Sequence, residues 1–419
     1  MKKTLIAVAA AAALTATSAF AEITFGAWLR VLASPVASTG EDIIAGVQNS
    51  WGWGARTARI NINGTSEDGK AGFVMGVYND FESGLGQGDD AYLWVKPVDT
   101  VKVSVGKFDS PTNGLRGDFC YGSWNWLRPF NWVRDGEGLT FDGIWRSGLM
   151  VEADPMEGLH AFAVIPMSSS YKSAEETYRN IQVGFGYTIE GVGKLKAQFI
   201  GDYGYTTKTK DVEGDYYVNP DDGTIERKSE SVAYDKDQDK TTGQIGVAFD
   251  ITAIENLYVT VGARFGIADK DYAPDYFKME FSAGASYQVS ETMKFSVDGD
   301  YKQFQKKFNK DDDSLFSVGA GVDFTVMDGL AAVADVRYMS NKYGKDGDDG
   351  AISFLVGVNK SVSSNGSLGI GFQGATNGCG LVMNDSTGIK AGKSYTLGKD
   401  GGDGDEFVWA IPVSVSVWF

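Results

Sequence analysis

The chain has 419 residues, a formal net charge of -17, and 54 glycines against 9 prolines. So acidic a chain is a poor partner for nucleic acid. No mature apolar run approaches the ~18 residues of a membrane-spanning helix, which leaves strands to use its 10 Trp, 19 Tyr and 24 Phe.

The first segment is an export signal. Lys2 and Lys3 form a basic start, Leu5 to Leu14 an alanine-rich apolar core, and Ala19-Phe20-Ala21 a cleavage site. Residues 1–21 are therefore expected to be removed, and 22–419 to form one body with neither a plug nor a peptidoglycan-binding domain. Export places Cys120 and Cys379 in an oxidising compartment. Both fall in expected loops, and sequence does not give their separation, so they are a candidate disulfide whose pairing stays open. No lipobox cysteine follows the leader, so no lipid anchor is expected.

From Glu22 onwards the chain reads as about eighteen alternating segments. Glu22–Leu32 comes first, with Ile23, Phe25, Ala27 and Leu29 on one face. After a long loop, Ala55–Asn63 and Ala71–Asp80 flank GTSEDGK. Ala91–Lys96 and Val101–Phe108 flank PVDT. A very long connection, Asp109 to about Arg146, follows. Ser147–Ala153 and Leu159–Pro166 flank DPMEG; Asn180–Glu190 and Lys194–Gly204 flank GVG. A polar loop is expected from Tyr205 to Thr242. Gly243–Thr252 and Leu257–Ile267 flank AIEN, and Phe277–Val289 and Lys294–Phe304 flank SETM. Leu315–Val326 and Leu330–Ser340 flank MDG, and Ala351–Val362 and Ser367–Ala375 flank SSNG. An acidic, glycine-rich loop leads to the last strand, EFVWAIPVSVSVWF.

Connections thus alternate between long and short, which is the rhythm of an antiparallel up-and-down transmembrane β-barrel with short periplasmic turns and long external loops. The expected count is 18 strands, with 16 as the alternative if weak segments such as Ser147–Ala153 belong to loops. Each strand has one apolar row, such as Phe316, Val318, Ala320, Val322, Phe324 and Val326, and one polar row. Aromatics on the apolar rows sort to the strand ends. Phe25, Tyr187, Phe249, Tyr287, Phe324 and Phe419 fall at the short-turn end. Tyr203, Phe265, Phe277, Tyr301, Phe316, Tyr338 and Phe407 fall at the other. Two such rings are the girdles of a membrane barrel, so the apolar rows are assigned to lipid and the polar rows to the inside.

The terminal strand, with its alternating apolar residues and final Phe419, resembles the closing strand of bacterial outer-membrane β-barrels, porins above all. By that resemblance Phe419 is the signal read by the barrel-assembly machinery. VKVSVGKFDS leading into a long loop resembles the general porins, in which a loop folds back to narrow the pore. The resemblance implies that residues 109–146 form the constriction, with Asp109, Asp118, Asp135, Glu137 and Asp142 reaching the axis. It also implies a passive channel for small hydrophilic solutes and ions in the outer membrane, set in lipid and assembled as a homotrimer.

A barrel of sixteen or more strands is too wide for side chains to fill. Basic residues with inward parity are Arg30, Arg59, Lys102, Lys196, Arg264 and Arg337. General porins set a basic wall against an acidic loop, and Arg30, Arg59 and Lys102 could form such a wall here. Trp124, Trp126, Trp132 and Trp145 in the long connection suit packing on the inner wall, or stacking on sugar rings. A sugar-type specific channel and a surface adhesin without an open pore are the competing functions. Enzyme chemistry has no motif: His160 is the one histidine, and G-x-S-x-G and metal-ligand spacings are missing. No cofactor and no specific metal site is expected, and the acidic clusters of the loops read as solvated.

Overall fold

The computed structural model describes residues 22–38, 43–48, 56–79, 85–110, 144–168, 174–218, 225–268, 277–304, 314–340, 351–376, 381–384, 394–397 and 407–419. Apart from one short helix, α1 (Ala174–Arg179), these residues form strands and their turns. The chain opens with β1 (Glu22–Ser38), β2 (Ile43–Gln48), β3 (Arg56–Thr65), β4 (Ala71–Asn79), β5 (Leu85–Val98) and β6 (Val101–Ser110). Next come β7 (Ile144–Met156), β8 (Leu159–Pro166), β9 (Gln182–Ile189), β10 (Gly193–Val218), β11 (Ile225–Ile251) and β12 (Leu257–Ala268). β13 (Phe277–Ser290), β14 (Met293–Phe304), β15 (Ser314–Met327), β16 (Leu330–Met339), β17 (Ala351–Ser363) and β18 (Gly366–Ala375) follow. The last four are β19 (Leu381–Asn384), β20 (Ser394–Leu397), β21 (Val408–Ala410) and β22 (Val413–Trp418).

Hydrogen bonding makes these strands one closed antiparallel barrel. β1 pairs with β3, and from there each strand pairs with its successor as far as β18. β18 bonds to β21 and β22, and both bond back to β1. At the seam Ala27 and Phe419 exchange two backbone bonds, of 2.9 and 2.7 Å. Closure satisfies the main-chain donors and acceptors without leaving an edge, which a lipid environment requires. One rim carries the tight connections. Asp328–Gly329, for instance, joins β15 to β16, and Gly329 sits at φ +69°, where a Cβ is disfavoured.

Three expectations need correction. Among the described residues the sheet has twenty-two strands, not eighteen or sixteen. The excess is short strands. β2, β19 and β20 lie in connections expected to be loops and pair with each other and with the far end of β1. The last crossing is also split into β21 and β22 around Pro412, which has no N–H to give to a ladder. Second, the polar stretch from Tyr205 to Thr242 is largely a ribbon. β10 and β11 pair from Gly193↔Ile251 to Val218↔Ile225, with three irregularities. A ribbon beyond the wall needs no apolar row, so the alternation that marks wall strands is missing there. Its threonines, valines and tyrosines nonetheless favour extended backbone. Third, the long connection is shorter than 109–146. β6 runs to Ser110, β7 starts at Ile144, and Asp109 is in register with Trp145.

Candidate functional site

Alternation decides what faces inwards. On β14, Val297 is 54% exposed and its neighbour Asp298 7%; on β15 Val318 is 51% exposed. The apolar rows are open on one side of the sheet and the polar rows are shielded on the other. In a closed circuit the shielded side is the inside. The exposed rows carry Phe25, Tyr287, Phe324 and Phe419 near the tight-turn rim, and Phe265, Tyr301, Phe316, Tyr338 and Phe407 near the other. Tyr187 and Phe249 are half-buried. The side chains of Tyr203 and Phe277 lie outside the description.

Register then brings inward charges together across neighbouring strands. Lys102 on β6 stands opposite Glu152 on β7, and their charged atoms are 2.5 Å apart. Lys196 on β10 is 1% exposed and meets Asp250 of β11 at 2.5 Å; Thr260 of β12 donates to the same carboxylate at 2.9 Å. Arg264, Glu280 and Lys302 are aligned across β12, β13 and β14. Glu280 holds Arg264 at 2.6 Å and Lys302 at 3.7 Å, while Gln244 accepts from Arg264 at 3.2 Å. Arg59 reaches Asp90 at 3.5 Å and donates to Asn61 at 2.5 Å. Such pairs replace the water that buried charges lose, and breaking one strands its partner.

Four of the six expected inward bases, Arg59, Lys102, Lys196 and Arg264, therefore meet acids of the wall itself. Arg30 and Arg337 have backbone positions in β1 and β16; their side chains lie outside the description, as does that of Asp109. Asp118, Asp135, Glu137 and Asp142 lie outside the described residues, as do Cys120, Cys379 and residues 1–21. Phe419 is placed at the seam, 80% exposed. His160 sits near the tight-turn rim, with Nδ1 2.9 Å from Asp154 and Nε2 4.0 Å from Glu152.

Sequence reasoning missed the acidic half of this lining. Asp90, Glu152 and Asp250 were not singled out, nor were Asp298, Asp300 and Asp335. Parity was a usable signal, because each shares the inward face with a base on its own or a neighbouring strand. Also missed was an apolar patch on the same inner face. Phe108, Met150, Phe162 and Val164 cluster there with Ala248, and Tyr92 packs against them, its ring 5.3 Å from Phe108.

Comparison with known proteins places this architecture. Residues 152–365 match a sequence family described as a porin subfamily. No curated protein matches the chain. Among solved structures, a double variant of OccD1 (OprD) aligns with a TM-score of 0.50 at 10% identity, covering 96% of each chain. An anion-selective porin from Comamonas acidovorans aligns with a TM-score of 0.47 at 15% identity, covering 95% of this chain and 99% of that one. The trimer form of OmpT from Vibrio cholerae gives 0.42 at 12% identity, with coverages of 95% and 99%.

Proposed function

This chain belongs to the porin subfamily, and from that premise we propose that it forms a water-filled channel through which small hydrophilic solutes and ions diffuse passively across the outer membrane. The carrying observation is the division of its surface. A closed antiparallel circuit turns rows of Val, Phe, Ala and Tyr outwards and rows of Lys, Arg, Asp and Glu inwards. A basic residue facing lipid at mid-membrane costs about 2–4 kcal/mol, so this sorting suits lipid outside and water within. Transport needs no energy source and no bound cofactor in this reading, and family membership supports a channel rather than an enzyme.

Arg59, Lys102, Lys196 and Arg264, with their wall acids, line the path, and Arg30 and Arg337 join them by register. The segment between β6 and β7 narrows it, with Asp118, Asp135, Glu137 and Asp142 as the acids of the constriction. Residues 1–21 are the cleaved export signal, Phe419 is the assembly signal, and the barrels associate as homotrimers. Single-channel recording of the refolded protein in a planar bilayer tests the reading. Large stepwise conductance is expected, and silence from well-folded protein overturns the channel.

A further inference from the structure

The chain has one histidine, and the fold sets it on the inner wall between two carboxylates. His160 shares its inward row on β8 with Phe162 and Val164. Its Nδ1 is 2.9 Å from Asp154 Oδ1, and its Nε2 is 4.0 Å from Glu152 Oε1. The other oxygen of Glu152, Oε2, is 2.5 Å from the Lys102 ammonium. Glu152 therefore stands between an ammonium and an imidazole, one oxygen turned to each.

Hydrogen bonding fixes where the imidazole proton sits. An ionised Asp154 can only accept, so neutral His160 carries its hydrogen on Nδ1. Nε2 then turns a lone pair towards Glu152, and two acceptors face each other across 4.0 Å. A second proton, on Nε2, makes that face a donor, and the imidazolium has a carboxylate on each side. It also changes the local charge. With His160 neutral, Lys102 is set against two anions, Glu152 and Asp154. With His160 protonated, two cations are set against the same two.

The elements packed against β8 carry the other charged groups. β9 puts Gly186 opposite His160 and has no charged side chain, and its Tyr187 is on the outward row. Beyond Gly186, β10 presents Lys196, held by Asp250 of β11, and one inward step nearer the rim Lys194. Glu157 lies in the exposed turn between β7 and β8. α1, beyond the other end of β8, carries Glu175, Glu176 and Arg179. The His160 side chain is 36% exposed, so water of the lumen can bring it a proton. We propose that His160 is a selectivity-determining residue near the tight-turn mouth of the channel, where uptake of a proton between Glu152 and Asp154 lowers the preference for cations. The inference rests on the channel reading and adds to it a residue that tunes which ions pass.

The test uses the full mature protein in a planar bilayer. Reversal potential under a KCl gradient is read as both sides are taken from about pH 8 to about pH 5.5, the range in which an imidazole ordinarily changes charge. The ratio of K+ to Cl- permeability in wild type is expected to fall about twofold, as one added charge at a wet, salt-screened wall allows. His160→Gln keeps an N–H for Asp154 and cannot take the charge, so its ratio is expected to stay level. Imidazole carbon NMR of the folded protein in nanodiscs reads a single histidine, and its midpoint should coincide with that of the change in ratio. An imidazole that does not titrate over this range, a wild-type ratio that stays level while it does, or a variant ratio that falls as far as that of wild type overturns the role of His160 and leaves the channel standing. Silence from folded wild type overturns the channel reading itself. If the variant does not insert, wild type decides alone, and midpoints that differ reject the switch.

Discussion

Two arcs of the inner wall follow the same alternation and end with opposite chemistry. On β6, β7 and β8, beside the Lys102–Glu152 pair, the inward positions include Phe108, Met150, Phe162 and Val164, packed into one cluster. On β13, β14 and β16 they hold Glu280, Asp298, Asp300 and Asp335, with serines beside them. The pleat decides which residues face in; it does not decide their polarity. Inward residues need be polar only where they meet water or one another's charges. Phe108, Met150 and Val164 are fully shielded, so the first arc behaves as a small core inside the barrel. The second is shielded as well, with Glu280 0% and Asp300 4% exposed, but what its side chains meet there is one another's charge.

The largest expected effect breaks the first arc. Met150→Ala removes a fully buried side chain from among Phe108, Phe162 and Val164, and should cost about 2–5 kcal/mol. Urea unfolding in lipid vesicles measures it. A cost below ~1 kcal/mol would mean that the arc is not packed, and the contrast with the acidic arc would collapse.

The matching change in the second arc should do far less. Asp335→Asn keeps the shape and most hydrogen-bonding capacity of the side chain and relieves repulsion among neighbouring carboxylates. Its stability should stay within ~1 kcal/mol of wild type in the same assay. A loss of about 3–5 kcal/mol would instead show that the Asp335 charge holds the wall as half of a buried ion pair. In that case the two arcs would be equally structural.

The same contrast explains how far the sequence could be read. Segments such as Phe316–Val326 were legible because lipid on one face and polar groups on the other enforce a clean period of two. β7 was the weakest expectation, yet it is continuously paired with β6. Its inward Met150 lies in the apolar arc, so β7 is apolar on both faces there and the period blurs. The β10–β11 ribbon was read as a loop for the opposite reason, since neither face needs apolar residues. Cross-strand pairs were beyond periodicity altogether. Arg264 and Glu280 are sixteen positions apart, and register at the Ala268–Phe277 connection brings them face to face. Sequence did assign the inward parity of Arg59, Lys102, Lys196 and Arg264. It could not assign their partners, because a partner depends on stagger, and stagger shows in sequence only where a tight turn fixes it.

The smallest effect lies outside both arcs, in the tight turn between β3 and β4, where a carboxylate is set by local bonds in water. Ser66 donates to Asp68 Oδ1 at 2.6 Å, and the Lys70 amide donates to the same oxygen at 3.0 Å. The Ser66 bond, then the Lys70 bond, holds the Asp68 carboxyl below its ordinary value of 3.8. A depressed carboxyl stabilises the turn at pH above that value, and the contribution is lost as pH falls through the lower, folded-state value. Carboxyl-carbon NMR of Asp68 should therefore give a midpoint below 3.8, and Ser66→Ala should move it upwards. Ser66 also accepts the Ala71 amide at 2.9 Å, so the same substitution should loosen the first bonds of β4. A wild-type midpoint at or above the ordinary value, or one that ignores Ser66→Ala, would show that the turn does not hold its carboxylate. Charge in this protein would then be organised only where the barrel shields it, which would make the contrast between the arcs a property of burial alone.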